Sequence, residues 1–185
     1  MFGPSVYPPQ PANLWQAAFN GERNWATSSG EDKHRRGLYT FWRRTVPYPS
    51  MMAFDAPTRE YCTIRRVPSN TPLQAFVTLN DPVFVEAAQA FARRIIKEGG
   101  DNPESRIRWA LRHATAKAPE EKQVAVLNRL YEEGLAKYRD NPEGAKAMAS
   151  SQSGALEAGV DPVEAAAWSV VANVLLNLDS VLTKG

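Results

Sequence analysis

Residues 81–115 read DPVFVEAAQAFARRIIKEGGDNPESRIRWALRHAT and contain two consecutive helix-start signals. Asp81 and Asn102 are each followed by a proline, which places a capping side chain before a residue whose missing N–H does no harm in the first turn. Between the two prolines, apolar side chains recur at helical spacing until two adjacent glycines supply a stop. The stretch therefore predicts two α-helices, over 82–98 and 103–115.

Two further helices are predicted downstream of this stretch. The first opens at Pro119 and carries an apolar stripe from Val124 to Tyr138, which is a strong amphipathic pattern. The second starts at Asn141, again with a proline behind the capping residue, and is rich in alanine to about residue 152. Four helices in succession are thus expected from 82 onward.

The last predicted helix starts at Asp161 and is apolar on nearly all sides through residue 178. Glu164 stands at the position that completes a capping box with Asp161. Asn173 and Asn177 are expected to be hydrogen-bonded inside the bundle, as buried amides must be. Since no segment alternates apolar and polar residues with period two, we predict an all-α fold, an irregular helical bundle.

Upstream, residues 54–81 read FDAPTREYCTIRRVPSNTPLQAFVTLND and hold the densest set of polar side chains in the chain. Asp55 precedes a proline by two positions and is expected to cap a helix that runs to about Arg66. A second short helix is expected to start around Thr71. Cys62 is expected to be a buried small hydrophobe, because free cysteines are among the most buried residues.

The amino-terminal residues 1–30 contain four prolines, which disfavour continuous helix. We expect them to form an extended, Pro-rich entrance segment, ahead of a helical domain over 31–185. Trp15, Phe19 and Trp25 are expected to pack against the helices that follow or against preceding sequence, since large aromatic rings are costly to leave in water. The chain is expected to be one domain, the carboxy-terminal part of a larger one.

A helix predicted over 32–45 would place two arginine pairs on one face with a tyrosine between them. Guanidinium groups bind oxyanions bidentately and aromatic faces stack on rings, so such a surface suits carboxylate, phosphate, sulfate or sugar ligands. The candidate ligand-binding residues are Arg35, Arg36, Tyr39, Arg43 and Arg44, together with Arg59, Arg65 and Arg66 of the following segment. Alternatively, these arginines pair with Glu31, Asp55 and Glu60 and only pin the entrance segment in place.

Other candidate sites are weaker. Asp55 and Glu60 are candidate acid/base residues, although catalysis by paired carboxylates depends on a separation that the sequence does not give. Glu31 and His34 have the spacing of a metal-binding E-x-x-H motif, but the motif occurs once, so no metal site is predicted. The commonest nucleotide-binding and hydrolase motifs are absent from the sequence.

Composition narrows the classes of function. The 185 residues carry a net charge of +2 and no basic run of the kind that tracks a phosphate backbone, so no nucleic-acid partner is expected. No apolar stretch reaches the roughly 20 residues of a bilayer span, and no signal peptide is expected in this chain. No cofactor is expected in this chain either, and its one cysteine excludes an internal disulfide.

Four segments carry a resemblance to a known family: GPSVYPPQPANLW at 3–15, RRGLYTFWRRTVPYPSMMAFDAPTREYCTIRR at 35–66, NTPLQAFVTLNDPVFVEAAQAFARR at 70–94 and AAWSVVANVLLNLDSVLTKG at 166–185. The chain resembles the planctomycete-type domain of unknown function that forms the carboxy-terminal part of large secreted proteins, many with a cytochrome c-like haem domain. The resemblance implies a periplasmic or secreted location, upstream domains as partners and haem only in those domains. It also implies that this chain is a fragment, and it assigns no catalytic residue.

Residues and resemblance together favour an uncharacterised extracytoplasmic helical module that binds or scaffolds, with polysaccharide or an anionic ligand as its contact. A non-enzymatic role is favoured. Two alternatives remain open: an enzyme domain acting on carbohydrate, with Asp55, Glu60 and Arg59 in its site, and a purely structural carboxy-terminal cap.

Overall fold

A computed structural model of the chain describes residues 3–18, 20–21, 23–65, 67, 69–150, 156 and 159–182. These residues contain nine α-helices and no strand beyond an isolated bridge between Val6 and Thr40, so the all-α prediction is confirmed. The helices are α1 (Leu14–Ala18), α2 (Pro49–Ala53), α3 (Pro72–Asn80), α4 (Pro82–Glu98), α5 (Pro103–Thr115), α6 (Glu121–Arg139), α7 (Pro142–Ala149), α8 (Pro162–Leu176) and α9 (Asp179–Leu182).

The contacts within the chain group into two compact units, Met1–Val83 and Phe84–Gly185, called the first and the second unit below. The expected division into an entrance segment over 1–30 and a domain over 31–185 stays a prediction. Among the described residues, no helix is both long and apolar enough to cross a membrane.

The second unit is a bundle in which α8 packs against α5, α6 and α7. Trp168 of α8 is fully buried and stacks on Tyr131 of α6 with ring centroids 4.3 Å apart. The two helices approach closely, since a Cβ added to Gly134 would lie 3.3 Å from the Cβ of Ala167. Small residues at this crossing let the large indole and phenol rings interlock beside it, at the density expected of a protein interior.

The helix starts predicted for this unit are confirmed. Asn102, Asn141 and Asp161 each accept a backbone N–H bond in the first turn of the helix that they precede. The capping box expected of Glu164 is wrong, because its carboxylate accepts a hydrogen bond from the guanidinium of Arg106 in α5 instead.

The ends of two helices also differ from expectation. α7 ends at Ala149, and residues 151–155 lie outside the described part of the chain. α8 ends at Leu176, and the backbone N–H of the capping residue Asn177 closes the last turn onto the carbonyl oxygen of Asn173. Asn173 itself is buried, as predicted.

The first unit is less regular, and two of its predicted helices are wrong. Residues 32–45 form two short 3₁₀ turns, Gly30–His34 and Gly37–Tyr39, followed by irregular chain. The physical reason is a competing partner for the backbone. Val6 donates its N–H to the carbonyl of Tyr39, and Phe41 donates to the carbonyl of Val6, each at 2.8 Å. A backbone paired with the amino-terminal segment cannot also make helical bonds.

The predicted helix after Asp55 is also wrong. Asp55 has a φ of 58° and Arg59 a φ of 63°, both in the left-handed region that α-helices exclude. The described residues from 54 to 65 contain only turns, bends and irregular backbone, and no helix. In the absence of a helix that would direct it to a core, Cys62 is exposed, which corrects the expectation of a buried thiol.

The third predicted helix of the first unit is confirmed as α3. Thr71 accepts the backbone N–H of Gln74, and the Gln74 side chain accepts the N–H of Thr71, which makes a complete capping box. α2 is not among the predicted helices. Pro49 occupies the first turn of α2, where proline is tolerated.

Candidate functional site

The centre of the first unit is a cluster of five aromatic rings from Tyr7, Trp15, Trp25, Phe41 and Tyr48. Tyr7 stacks on Phe41 at 5.0 Å, Trp25 stacks on Tyr48 at 5.9 Å, and the two indoles lie 5.4 Å apart. Trp15 and Tyr48 are buried. Trp15 and Trp25 do pack against other parts of the chain, but their partners Phe41 and Tyr48 lie in irregular chain and not in the helices that were expected to cover them, while Phe19 lies outside the described residues.

Two hydrogen bonds fix this cluster to the proline-rich segment. Trp25 donates from Nε1 to the carbonyl of Pro8, and the Tyr48 hydroxyl donates to the carbonyl of Pro9, both at 2.7 Å. Proline has no backbone N–H and fixes its own φ, so adjacent prolines present carbonyls on a stiff segment. The indole N–H of Trp25 and the hydroxyl of Tyr48 therefore both have hydrogen-bond acceptors, and these acceptors come from extended chain and not from a helix.

Burial and the nearby carboxylate of Asp81 raise the pKa of Tyr48 to about 12, although the Ser50 hydroxyl opposes the shift. Both dominant causes disfavour a negative charge on the phenol oxygen. The Tyr48 hydroxyl therefore stays protonated and donates its hydrogen bond at every physiological pH, which helps to hold the aromatic cluster in place.

Three of the predicted ligand-binding arginines lie over aromatic rings. We call Arg35, Arg43 and Arg59 the stacked arginines. Their guanidinium carbons lie 3.9 Å from the ring centroid of Tyr39, 5.8 Å from that of Trp15 and 4.9 Å from that of Trp42, in that order. Such cation–π contacts hold a guanidinium in place over a ring. Arg43 also donates from Nε to Oγ1 of Thr45 at 3.2 Å, so its guanidinium is held by a second contact.

Arg35 has structural contacts as well. Its Nη1 lies 3.4 Å from the carbonyl oxygen of Pro4 and 3.8 Å from a carboxylate oxygen of Asp32. The side chain also fills the space next to Gly3, where a Cβ would lie 2.8 Å from Nη1. Arg35 therefore helps to hold the amino-terminal segment, but its carboxylate neighbour is Asp32, whereas the alternative interpretation of the arginines expected Glu31, Asp55 or Glu60.

The remaining predicted ligand residues are not gathered by a common helix. The helical face that was expected to align both arginine pairs with Tyr39 does not exist, because residues 32–45 are not an α-helix. Arg36, Arg44 and Arg65 are exposed, and Arg66 lies outside the described residues. Trp15 and Trp42 were missed as partners of arginines, because only the folded chain brings them to Arg43 and Arg59.

The two candidate catalytic carboxylates have different surroundings. Asp55 accepts hydrogen bonds from the backbone N–H of Ser69 at 2.7 Å, from the Ser69 hydroxyl at 2.8 Å and from Nε2 of Gln74 at 3.3 Å. Gln74 is itself buried within the capping box of α3. Glu60, in contrast, is exposed. The geometry gives Asp55 an architectural task, namely to tie the irregular loop to α3.

The E-x-x-H pair, Glu31 and His34, lies in the 3₁₀ turn Gly30–His34, and both side chains are exposed. Within the described ranges, no three His, Cys, Asp or Glu side chains are arranged to hold a metal ion.

Comparisons with known proteins give one finding. The model of the family PSD1, described as a protein of unknown function (DUF1553), matches residues 1–131. The match spans the whole first unit and the second unit as far as the middle of α6. No curated protein and no solved structure matched the chain.

Proposed function

We propose that this chain, which belongs to the PSD1 family of proteins of unknown function (DUF1553), is a binding module that attaches to anionic polysaccharide through its first unit. The role is non-enzymatic. Its ligands are polysaccharides that carry sulfate or carboxylate groups on their sugar rings.

The observation that carries this proposal is the stacking of Arg35, Arg43 and Arg59 on aromatic rings. A guanidinium with one face against a ring has lost much of its rotational freedom before a ligand arrives, so less entropy is lost on binding. The ring beside it offers an apolar face for the C–H groups of a sugar. An anionic sugar matches both parts of such a pair.

The proposed setting follows from the family resemblance. We place the chain outside the cytoplasm, in the periplasm or secreted, as the carboxy-terminal part of a larger planctomycete protein. The upstream domains of that protein are its covalent partners, and a cytochrome c-like domain among them would hold any haem. In this arrangement the chain anchors the larger protein to a polysaccharide, while chemistry takes place elsewhere.

Affinity gel electrophoresis of the whole chain tests the proposal. Gels containing a sulfated or a carboxylated polysaccharide should retard the protein, and retardation should decrease with salt because the contact is electrostatic. Each charge-assisted hydrogen bond contributes about 1.5–3 kcal/mol, so Arg43→Ala and Arg59→Ala should each weaken retention roughly tenfold or more.

Arg129→Ala is the matched control, because Arg129 is an exposed arginine of α6 that pairs with Glu133. It removes one positive charge without touching the first unit. Absence of retardation in every anionic gel, or equal losses in Arg43→Ala, Arg59→Ala and Arg129→Ala, would overturn the proposal.

A further inference from the structure

A pocket of about 350 Å³ opens in the first unit between residues 10–16 and 24–27. Its volume lies at the small end of the range of about 300–1,000 Å³ that is typical of small-molecule sites. The described residues that line it include two indoles and several amides but no charged side chain. We call this the aromatic–amide pocket; the residues that matter below are Gln10, Trp15, Gln16, Asn24 and Trp25.

The aromatic walls of the pocket are held rigidly. The planes of the Trp15 and Trp25 rings are inclined at 60° to each other. Trp25 is fixed by its hydrogen bond to Pro8 and by stacking on Tyr48. Trp15 is only 7% exposed, so it forms the floor, whereas the partly exposed Trp25 offers ring surface to a ligand. Little reorganisation is needed for binding, and a preformed pocket retains more of its gross interaction energy.

The polar groups of the pocket offer both donors and acceptors. Gln16 donates from Nε2 to Oδ1 of Asn24 at 3.1 Å, which leaves Oε1 of Gln16 and the amino group of Asn24 for other partners. Oε1 of Gln10 is buried and accepts no hydrogen bond from the described residues. A buried acceptor without a donor is unfavourable by about 1–3 kcal/mol, and a rotation of the Gln10 side chain toward the pocket would let a ligand hydroxyl donate to this atom.

These features select one class of ligand. A phosphate or sulfate would enter a pocket whose described lining has no cation to neutralise it. A purely apolar ligand would offer no partner to Oε1 of Gln10, to Oε1 of Gln16 or to the amino group of Asn24. Sugar hydroxyls both donate and accept, and the C–H face of a pyranose packs on an indole ring.

We propose that the aromatic–amide pocket binds one uncharged pyranose unit, with its hydroxyls hydrogen-bonded to Gln10, Gln16 and Asn24 and its C–H face against Trp25. The inference rests on the proposed function, because both contacts would be made with one polysaccharide. Trp15 joins them physically, since it forms the floor of the pocket and also lies under Arg43. The pocket would recognise the neutral sugars of the polysaccharide, and the stacked arginines would recognise its charged sugars.

Isothermal titration calorimetry with the whole chain tests this assignment. The probes are neutral oligosaccharides derived from glucan, mannan, galactan and xylan, titrated in 0.5 M NaCl to suppress contacts with the arginines. At least one neutral probe should bind, and Gln10→Leu and Asn24→Ala should each weaken its affinity about tenfold, because one hydrogen-bonding group is lost. Circular dichroism of both variants shows whether the fold is kept.

Asn128→Ala is the matched control, since it removes an amide from α6 of the second unit, and it should leave the affinity unchanged. Arg59→Ala should also leave neutral-sugar binding unchanged while weakening retention in anionic gels. Failure of every neutral probe to bind, or binding that is unchanged in folded Gln10→Leu and Asn24→Ala, overturns the inference. Neutral-sugar binding without retention in anionic gels supports the pocket and overturns the arginine site, so the two proposals fail separately.

Discussion

Trp168 of the second unit and the tryptophans of the first unit differ in burial and in their polar neighbours. In the second unit, Trp168 is fully buried and stacks on Tyr131, in a core completed by small and branched side chains of α4, α5, α6 and α8. In the first unit, Trp15, Trp25 and Trp42 have arginines, amides and proline carbonyls next to their rings. An indole sealed inside a bundle contributes stability alone, whereas an indole at a polar boundary can also contact a ligand.

The backbone shows the same contrast. Among the described residues, four non-glycine residues of the first unit have a positive φ, namely Asn13, Asn20, Asp55 and Arg59, whereas in the second unit only Ala116 does so. Irregular backbone must satisfy its N–H and C=O groups one at a time, through partners such as Val6 and Tyr39. The second unit is therefore a regular packing of helices. The first unit is irregular chain held by separate hydrogen bonds, and binding residues are more often found in such irregular segments.

The largest effect is expected from Trp168→Ala in the second unit. Removal of a fully buried indole loses its transfer free energy and leaves a cavity, so the free energy of unfolding should fall by about 3–5 kcal/mol, measured by urea denaturation. Trp109→Ala is the control, because Trp109 in α5 is only half-buried. Equal losses in the two variants would show that burial is not what distinguishes this core.

A smaller loss is expected from Asp55→Asn in the first unit. The substitution keeps the shape but replaces a charged acceptor that holds Ser69 and Gln74, and hydrogen bonds to charged groups contribute about 1.5–3 kcal/mol. Urea denaturation followed by tryptophan fluorescence measures it. Glu60→Gln removes an exposed carboxylate and should change stability by less than about 0.5 kcal/mol. If Asp55→Asn changed the free energy of unfolding as little as Glu60→Gln does, Asp55 would not be what ties the irregular loop to α3.

Part of the fold could be predicted from the sequence. The starts of α4, α5, α7 and α8 follow from a capping residue next to a proline, and the α3 box follows from Thr71 and Gln74 three residues apart. Such signals are local, so the chain carries them whatever the tertiary structure is. The helix expected after Asp55 used the same kind of signal and was wrong, because Ser69, 14 residues away, takes the carboxylate.

The candidate sites were less predictable, for the same reason. Arg35, Arg36, Arg43 and Arg44 were singled out by residue type and by their spacing on a predicted helix that does not form. Their pairing with rings depends on how the irregular chain folds back, so Trp15 under Arg43 and Trp42 under Arg59 were not foreseen. The aromatic–amide pocket was missed entirely, because no spacing links Gln10 to Asn24 and amides give no signal of their own.

A third prediction concerns high pH. The pKa of Tyr48 is raised from 10.0 to about 12 in the folded protein, so its contribution to stability is complete below pH 10 and is lost as the pH rises toward 12. Tyr48→Phe should remove this loss and, through the missing bond to Pro9, lower stability by about 0.5–1.5 kcal/mol at neutral pH. Tyrosinate absorbance and urea denaturation at several pH values measure both effects.

Tyr61→Phe serves as the control for the alkaline titration, because Tyr61 is 71% exposed. Burial also raises the pKa values of Tyr131 and Tyr138 in the second unit, so some alkaline destabilisation should persist in Tyr48→Phe. A wild-type protein with constant stability between pH 10 and 12 would contradict the sign derived for all three phenols.

The smallest effect is expected from an exposed ion pair of the second unit. Arg129 and Glu133 lie one helical turn apart with their side chains 80% and 59% exposed, and such pairs contribute about 0.3–0.5 kcal/mol. Arg129→Ala should therefore lower the free energy of unfolding by no more than that, and by less at high salt. A loss above about 1 kcal/mol would mean that surface charge, and not the buried core alone, sets the stability of this unit.

The exposure of Cys62 has a practical consequence for experiments. Because it is the sole cysteine of the 185 residues and its thiol is exposed in the first unit, a maleimide dye or spin label will attach there without any engineered substitution. A fluorophore at this position reports from the unit that holds the stacked arginines and the aromatic–amide pocket. The chain thus carries its own reporter for ligand titrations, on the unit where ligands are expected.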